Sequence, residues 1–100
     1  MFLADVIGTV VSGAEQIPLL ARRKLLALRP LDPFGRPAGG TRIGIDTVGA
    51  GVGDRVLVID EGNSARQILD APEGAVKTLV VGFVDEVEVG GERVYDHRRA

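Results

Sequence analysis

The sequence predicts an all-β domain with one short helix, folded as a small OB-like five-stranded barrel that carries a C-terminal hairpin extension. Three observations carry that expectation. Short β-branched segments alternate apolar and polar residues with the period of two that a half-buried strand requires. A helical pattern surfaces once, after Gly62. Gly90-Gly91 then separates two alternating runs by the two residues of a tight hairpin.

Phe2 to Val11 is rich in β-branched residues and ends at Gly13, too short between breakers for a helix. Lys24 to Leu31 forms the second strand, closed by Pro30 and the turn Asp32-Pro33-Phe34-Gly35. Thr41 to Asp46 is the third, with Ile43 and Ile45 expected on one face. Arg55 to Asp60, nearly all apolar, is expected to be covered on both sides. In Asn63-Ser64-Ala65-Arg66-Gln67-Ile68-Leu69, Asn63 or Ser64 can cap a helical turn that Pro72 stops. Thr78 to Val89 reads as one long strand with Leu79, Val81, Phe83, Val87 and Val89 on one face, returning through Arg93-Val94-Tyr95. Residues 1–100 form a single domain, in which 87–100 supply the hairpin and tail.

Composition narrows the function. Only four residues are aromatic although 45% are apolar, so Val, Leu, Ile and Ala must build the core. Such a core leaves little space for a ligand cavity. A domain of this length buries roughly 60–70% of its unfolded surface, which makes that core thin. Net charge is −2 with acids and bases mixed, which argues against the concentrated basic face that nucleic acid needs. There is no cysteine for a disulfide or thiolate metal site, which fits a reducing cytoplasm. Met1–Asp5 has no basic leader, so no secretory signal is expected, and no apolar run approaches a bilayer span of about 20 residues.

The chemical candidates are weak. Gly49-Ala50-Gly51-Val52-Gly53 follows a strand, but a strand rather than a helix comes after it and no Lys-Ser or Lys-Thr is present. It reads as a tight loop with close backbone packing. Ser64 lacks a plausible base, because the one histidine, His97, lies in a charged tail expected to be mobile and extended. Glu86 and Glu88 share a solvated face. Asp85 has the parity of the apolar set and is expected at a barrel end or interface, where an arginine could pair with it. Arg66 is the residue singled out for binding, projecting from the first helical turn toward a neighbouring chain. No catalytic, cofactor-binding or metal-ligating residue is expected.

Several segments match one family in register. Gly8-Thr9-Val10-Val11, Lys24-Leu25-Leu26 leading to Pro30-Leu31-Asp32, and Asp46-Thr47-Val48-Gly49-Ala50-Gly51-Val52-Gly53-Asp54-Arg55-Val56-Leu57-Val58 come first. Gly62-Asn63-Ser64-Ala65-Arg66 and Val80-Val81-Gly82-Phe83-Val84-Asp85 follow. Together they resemble the EutN/CcmL family of bacterial microcompartment vertex proteins. Two regions depart from it: Leu69 to Lys77, with Pro72 and Gly74, is short, and the hairpin Val87 to Tyr95 is longer than in a minimal member.

The resemblance implies a structural subunit, not an enzyme: a homopentamer capping the five-fold vertices of a shell in the bacterial cytoplasm, beside hexameric shell tiles. It also implies that Asp46, Thr47, Gly49, Ala50, Gly51, Gly53, Asn63, Ser64 and Arg66 lie at subunit contacts or the axial opening. The rival reading is an OB-type module for single-stranded nucleic acid or a small ligand. That module would need a stacking platform beside a basic groove.

Overall fold

The structure is a computed structural model that describes residues 1–10, 24–60 and 78–99. Seven strands follow one another: β1 (Phe2–Val10), β2 (Leu25–Leu31), β3 (Arg42–Asp46), β4 (Arg55–Ile59), β5 (Leu79–Phe83), β6 (Glu86–Val89) and β7 (Glu92–Asp96). A 3-10 turn, His97–Arg99, ends the described chain. The expected helix at Asn63–Leu69 lies outside the described residues.

The first five strands close a barrel in the order β1-β2-β3-β5-β4, with β1 pairing back onto β4 through Leu3↔Leu57 and Asp5↔Arg55. All pairings are antiparallel except β3–β5, which is parallel at Ile45↔Leu79 and Asp46↔Val80. Closure pairs the edges that an open sheet this small would expose. A bulge between Val6 and Gly8 lets β1 bend as it passes from one neighbour to the next.

Alternation sorts the apolar side chains into two layers. Ala4, Val6, Leu26, Leu28, Val56, Val58 and Val80 fill the interior with Ala50, and Phe2 and Val48 pack against them. Leu25, Ile45 and Leu79, of opposite parity to Leu26, Gly44 and Val80, form a second buried cluster on the outer face with Val10, Ile59 and Val81. Burying a Val or Leu side chain contributes about 1.5–3 kcal/mol, so these branched residues supply the core that four aromatics could not. The interior is narrow. A Cβ added at Gly44 would lie 2.9 Å from Leu28 Cδ1 and 3.1 Å from Thr78 Cγ2.

Four details differ from the sequence reading. Ile45 is buried, but Ile43 on the same side is 51% exposed, beyond the outer cluster. β4 buries Val56 and Val58 inside, while Leu57 and Ile59 are only half-buried outside. The segment Thr78–Val89 is not one strand. It breaks at Val84-Asp85, where Val84 N still donates to Arg55 O (2.9 Å) and Asp85 O accepts from His97 N (2.9 Å). The chain leaves the barrel there, so Phe83 is exposed, and Val87 and Val89 belong to a separate two-stranded sheet. Fourth, the tail is not extended: its last residues form the 3-10 turn, tied back through His97 N. The hairpin turn itself matches expectation, with φ of 60° at Gly90 and 83° at Gly91, as a two-residue primed turn demands.

Candidate subunit-contact loop and the arginine staple

Six of the nine expected contact residues lie together between β3 and β4, and a single carboxylate organises them. Asp46 ends β3 with its side chain only 3% exposed. Its Oδ1 accepts from the backbone N–H of Val48 (3.0 Å), Gly49 (3.1 Å) and Ala50 (3.3 Å), an Asx-type cap that folds the chain back on itself. Lys24 Nζ lies 3.5 Å from Oδ2 and donates to the Ala50 carbonyl. Thr47 fastens the same corner to β5, its hydroxyl donating to Val80 O at 2.7 Å.

The far side of the loop is fixed as firmly. Ala50 is fully buried and plugs the barrel interior. Gly51 N donates to Asp54 Oδ2 (2.8 Å), and Asp54 N donates to Gly51 O (3.0 Å). Gly53 N donates to Val6 O and Val6 N to Asp54 O, which extends the β1 ladder into the loop. The expected close backbone packing is not found among the described residues. No heavy atom of the described residues outside its chain neighbours lies within 4 Å of a Cβ built on Gly49, Gly51 or Gly53. Gly49 and Gly53 are explained by φ of 79° and 97°. Gly51 has no positive φ and no close neighbour among the described residues, and beside it Val52 is 68% exposed. Among the described residues the loop thus turns Gly49, Val52 and Gly53 outward on a backbone held by its own hydrogen bonds. Asn63, Ser64 and Arg66 lie outside the described residues.

The second organised group escaped the sequence reading. Arg55 at the start of β4 makes a forked pair with Asp5 of β1, at 2.8 Å through Nε and 3.2 Å through Nη2. Its guanidinium covers the Tyr95 ring at 4.3 Å from the centroid. It also lies 3.0 Å from where a Cβ on Gly35 would sit, and with φ of 85° there glycine is favoured where the Asp32–Pro37 turn packs over it. Direct hydrogen bonding to Asp5 raises the Arg55 pKa above its ordinary value, against the lowering effect of burial. Arg55 thus staples β1, the Asp32 turn and the root of the hairpin to one point. Asp5 interrupting an apolar strand was the available signal, but its partner depends on the β1–β4 register.

Two acids of the hairpin are held in ion pairs. Glu86 and Asp96 form a network with Arg93 and Arg98, and the Arg98 hydrogen bond holds the Asp96 carboxyl below its ordinary value. Asp85 is exposed just past the end of β5, a barrel end as expected, and has no ion-pair partner among the described residues; its carbonyl accepts from His97 N. Three aromatic rings are covered by arginines: Phe2 by Arg42, Phe34 by Arg36 and Tyr95 by Arg55. No cluster of three or more metal-ligating side chains occurs among the described residues.

Together these features define a small closed barrel with a stiffened glycine ridge, a scaffold whose ordered polar groups position backbone. The family profile described as ethanolamine utilisation protein EutN/carboxysome matches residues 1–85, and the chain belongs to that family. It is 40% identical to the microcompartment shell vertex protein EutN of Escherichia coli, over 95% of this chain and 98% of the relative. To the carboxysome shell vertex protein CcmL of Synechococcus elongatus it is 39% identical, over 98% and 97%. Among solved structures, Gloeobacter violaceus CcmL superposes with a TM-score of 0.86 at 33% identity, covering 98% of this chain and 99% of that one. The GrpN pentameric microcompartment shell protein of Rhodospirillum rubrum superposes at 0.77 with 43% identity, covering 89% of this chain and 99% of its own.

Proposed function

We propose that five copies of this chain close into a ring that fills the five-fold vertices of a microcompartment shell in the bacterial cytoplasm. Hexameric tiles form the facets around it. The observation that carries this reading is the likeness to GrpN, described as pentameric, which extends over 99% of that chain. The role is structural, not enzymatic. A ring of odd order needs head-to-tail contacts, in which one patch meets a different patch on the next copy. The Asp46–Gly53 ridge suits such a contact: its backbone is fixed before assembly, so little ordering cost remains, and Gly51 leaves room for a neighbour. Asn63, Ser64 and Arg66 are assigned to the same contact by family resemblance.

The nucleic-acid alternative is poorly supported. Single-strand binders offer open aromatic faces beside a basic groove, whereas three of the four rings here are stacked under arginines. Native mass spectrometry tests the proposal. A pentamer is expected at micromolar concentration, and a dominant monomer or dimer contradicts it.

A further inference from the structure

The C-terminal hairpin is built unlike the rest of the molecule. β6 and β7 form their own sheet, unpaired with any barrel strand, and the described chain is 45 Å long but only 25 by 23 Å across. An isolated two-stranded hairpin is marginal in water. This one is anchored at its root, where Tyr95 lies under Arg55. One face carries the charged pairs Glu86↔Asp96 and Glu88↔Arg93. The opposite face carries Val87 across from Tyr95 and Val89 across from Glu92, and both valines are only half-buried. Glu92 has no ion-pair partner among the described residues.

The barrel displays a matching surface. Beside the staple lies a cleft of about 390 Å³ bordered by Ile7, Val52, Arg29 and Tyr95. Ile7 and Val52 are exposed apolar residues, and Arg29 is exposed with no ion-pair partner among the described residues. Among the described residues, one side thus offers an apolar residue next to an acid without an ion-pair partner, and the other offers two apolar residues next to a base without one. Within one described chain the two do not pair. Tyr95 borders its own cleft, and Glu92 lies three residues further along an extended strand, about 10 Å away.

We infer that the hairpin is an arm whose tip, Val89 and Glu92, seats on the Ile7–Val52–Arg29 surface of the next copy. The occupant is a second copy of this chain because the two surfaces are complementary in charge and apolar character and lie on different parts of one subunit. That is the condition for a head-to-tail ring contact. The inference rests on the pentamer reading and deepens it. The arm reinforces the ring without creating it: the family profile ends at residue 85, where the arm begins, and the chain of pentameric GrpN matches only 89% of this one.

A charge-exchange experiment on the full chain tests this by the concentration at which half the pentamer dissociates, read by native mass spectrometry on dilution. Glu92→Arg and Arg29→Glu should each raise it about tenfold, since like charges meet in the contact. The doubly exchanged chain should recover most of the loss. Val89→Ser, a milder change, should weaken the ring while leaving the circular dichroism spectrum unchanged. Single exchanges that leave dissociation unaltered, or a double exchange whose losses simply add, overturn the arm. A wild-type chain that is not pentameric instead overturns the ring reading itself, so the two failures are distinguishable.

Discussion

Replacing Asp46 with alanine should unfasten the glycine ridge from the barrel. The carboxylate is 3% exposed and receives three backbone N–H bonds at one oxygen. A hydrogen bond to a charged group contributes about 1.5–3 kcal/mol. The three share one acceptor and the longest is 3.3 Å, so the set is worth about 3 kcal/mol rather than the full sum. In a domain of this size that lowers Tm by about 10–20 °C. Asp46→Asn separates the cap from the charge. It keeps Oδ1 as an acceptor and loses the Lys24 pair, whose lysine is 47% exposed and hence largely screened. Its cost should be about 1 kcal/mol. Urea melts followed by circular dichroism, at one fixed concentration because assembly shifts apparent stability, measure both variants. An alanine variant within about 1 kcal/mol of wild type, or an asparagine variant as damaged as the alanine one, refutes the cap.

Gly44→Ala should destabilise the barrel by about 1–3 kcal/mol through overpacking, because its Cβ meets Leu28 inside the closed wall. Thermal melts check this, and Leu28→Val in the same chain should return part of the loss. Acid should remove a different contribution. The Arg42 hydrogen bond, aided by Thr78, holds the Asp60 carboxyl below its ordinary value of 3.8. Its stabilisation is therefore complete above that value and fades as pH falls through the lower folded value. Asp60→Asn should cost about 0.2–1 kcal/mol at neutral pH, as partly exposed pairs do. Urea midpoints taken down through the carboxylate range should show a shallower acid slope for that variant.

The barrel strands were legible because one face of each is buried, and burial writes alternation into the sequence. β4 is the exception: Val56, Leu57, Val58 and Ile59 are all apolar, so its half-buried side could not be told from its buried one. The break after Phe83 was not legible, because Phe83, Val87 and Val89 keep the same parity across it. The chain turns out of the barrel through backbone bonds at Val84 and Asp85, which leave no side-chain signature. Asp46 before a glycine-rich run marked a turn, yet the triple cap depends on loop geometry. Asp5 and Arg55 stand fifty residues apart and become partners only through the antiparallel β1–β4 register. The outer cluster was hidden for a related reason: Leu25 and Leu26, like Leu79 and Val80, are adjacent residues buried on opposite faces.

The vertex role is tested most directly in the shell itself. A flat hexagonal lattice closes only where five-fold units replace six-fold ones, so a minor pentameric component decides whether tiles make sheets or polyhedra. Hexameric tiles from the same system, expressed with and without this chain, should be compared by electron microscopy. With the chain, closed polyhedra with density at every vertex are expected; without it, open sheets or shells gapped at the vertices. Equal closure and equal vertex density in both samples would contradict the role, even for a protein that proves pentameric in isolation.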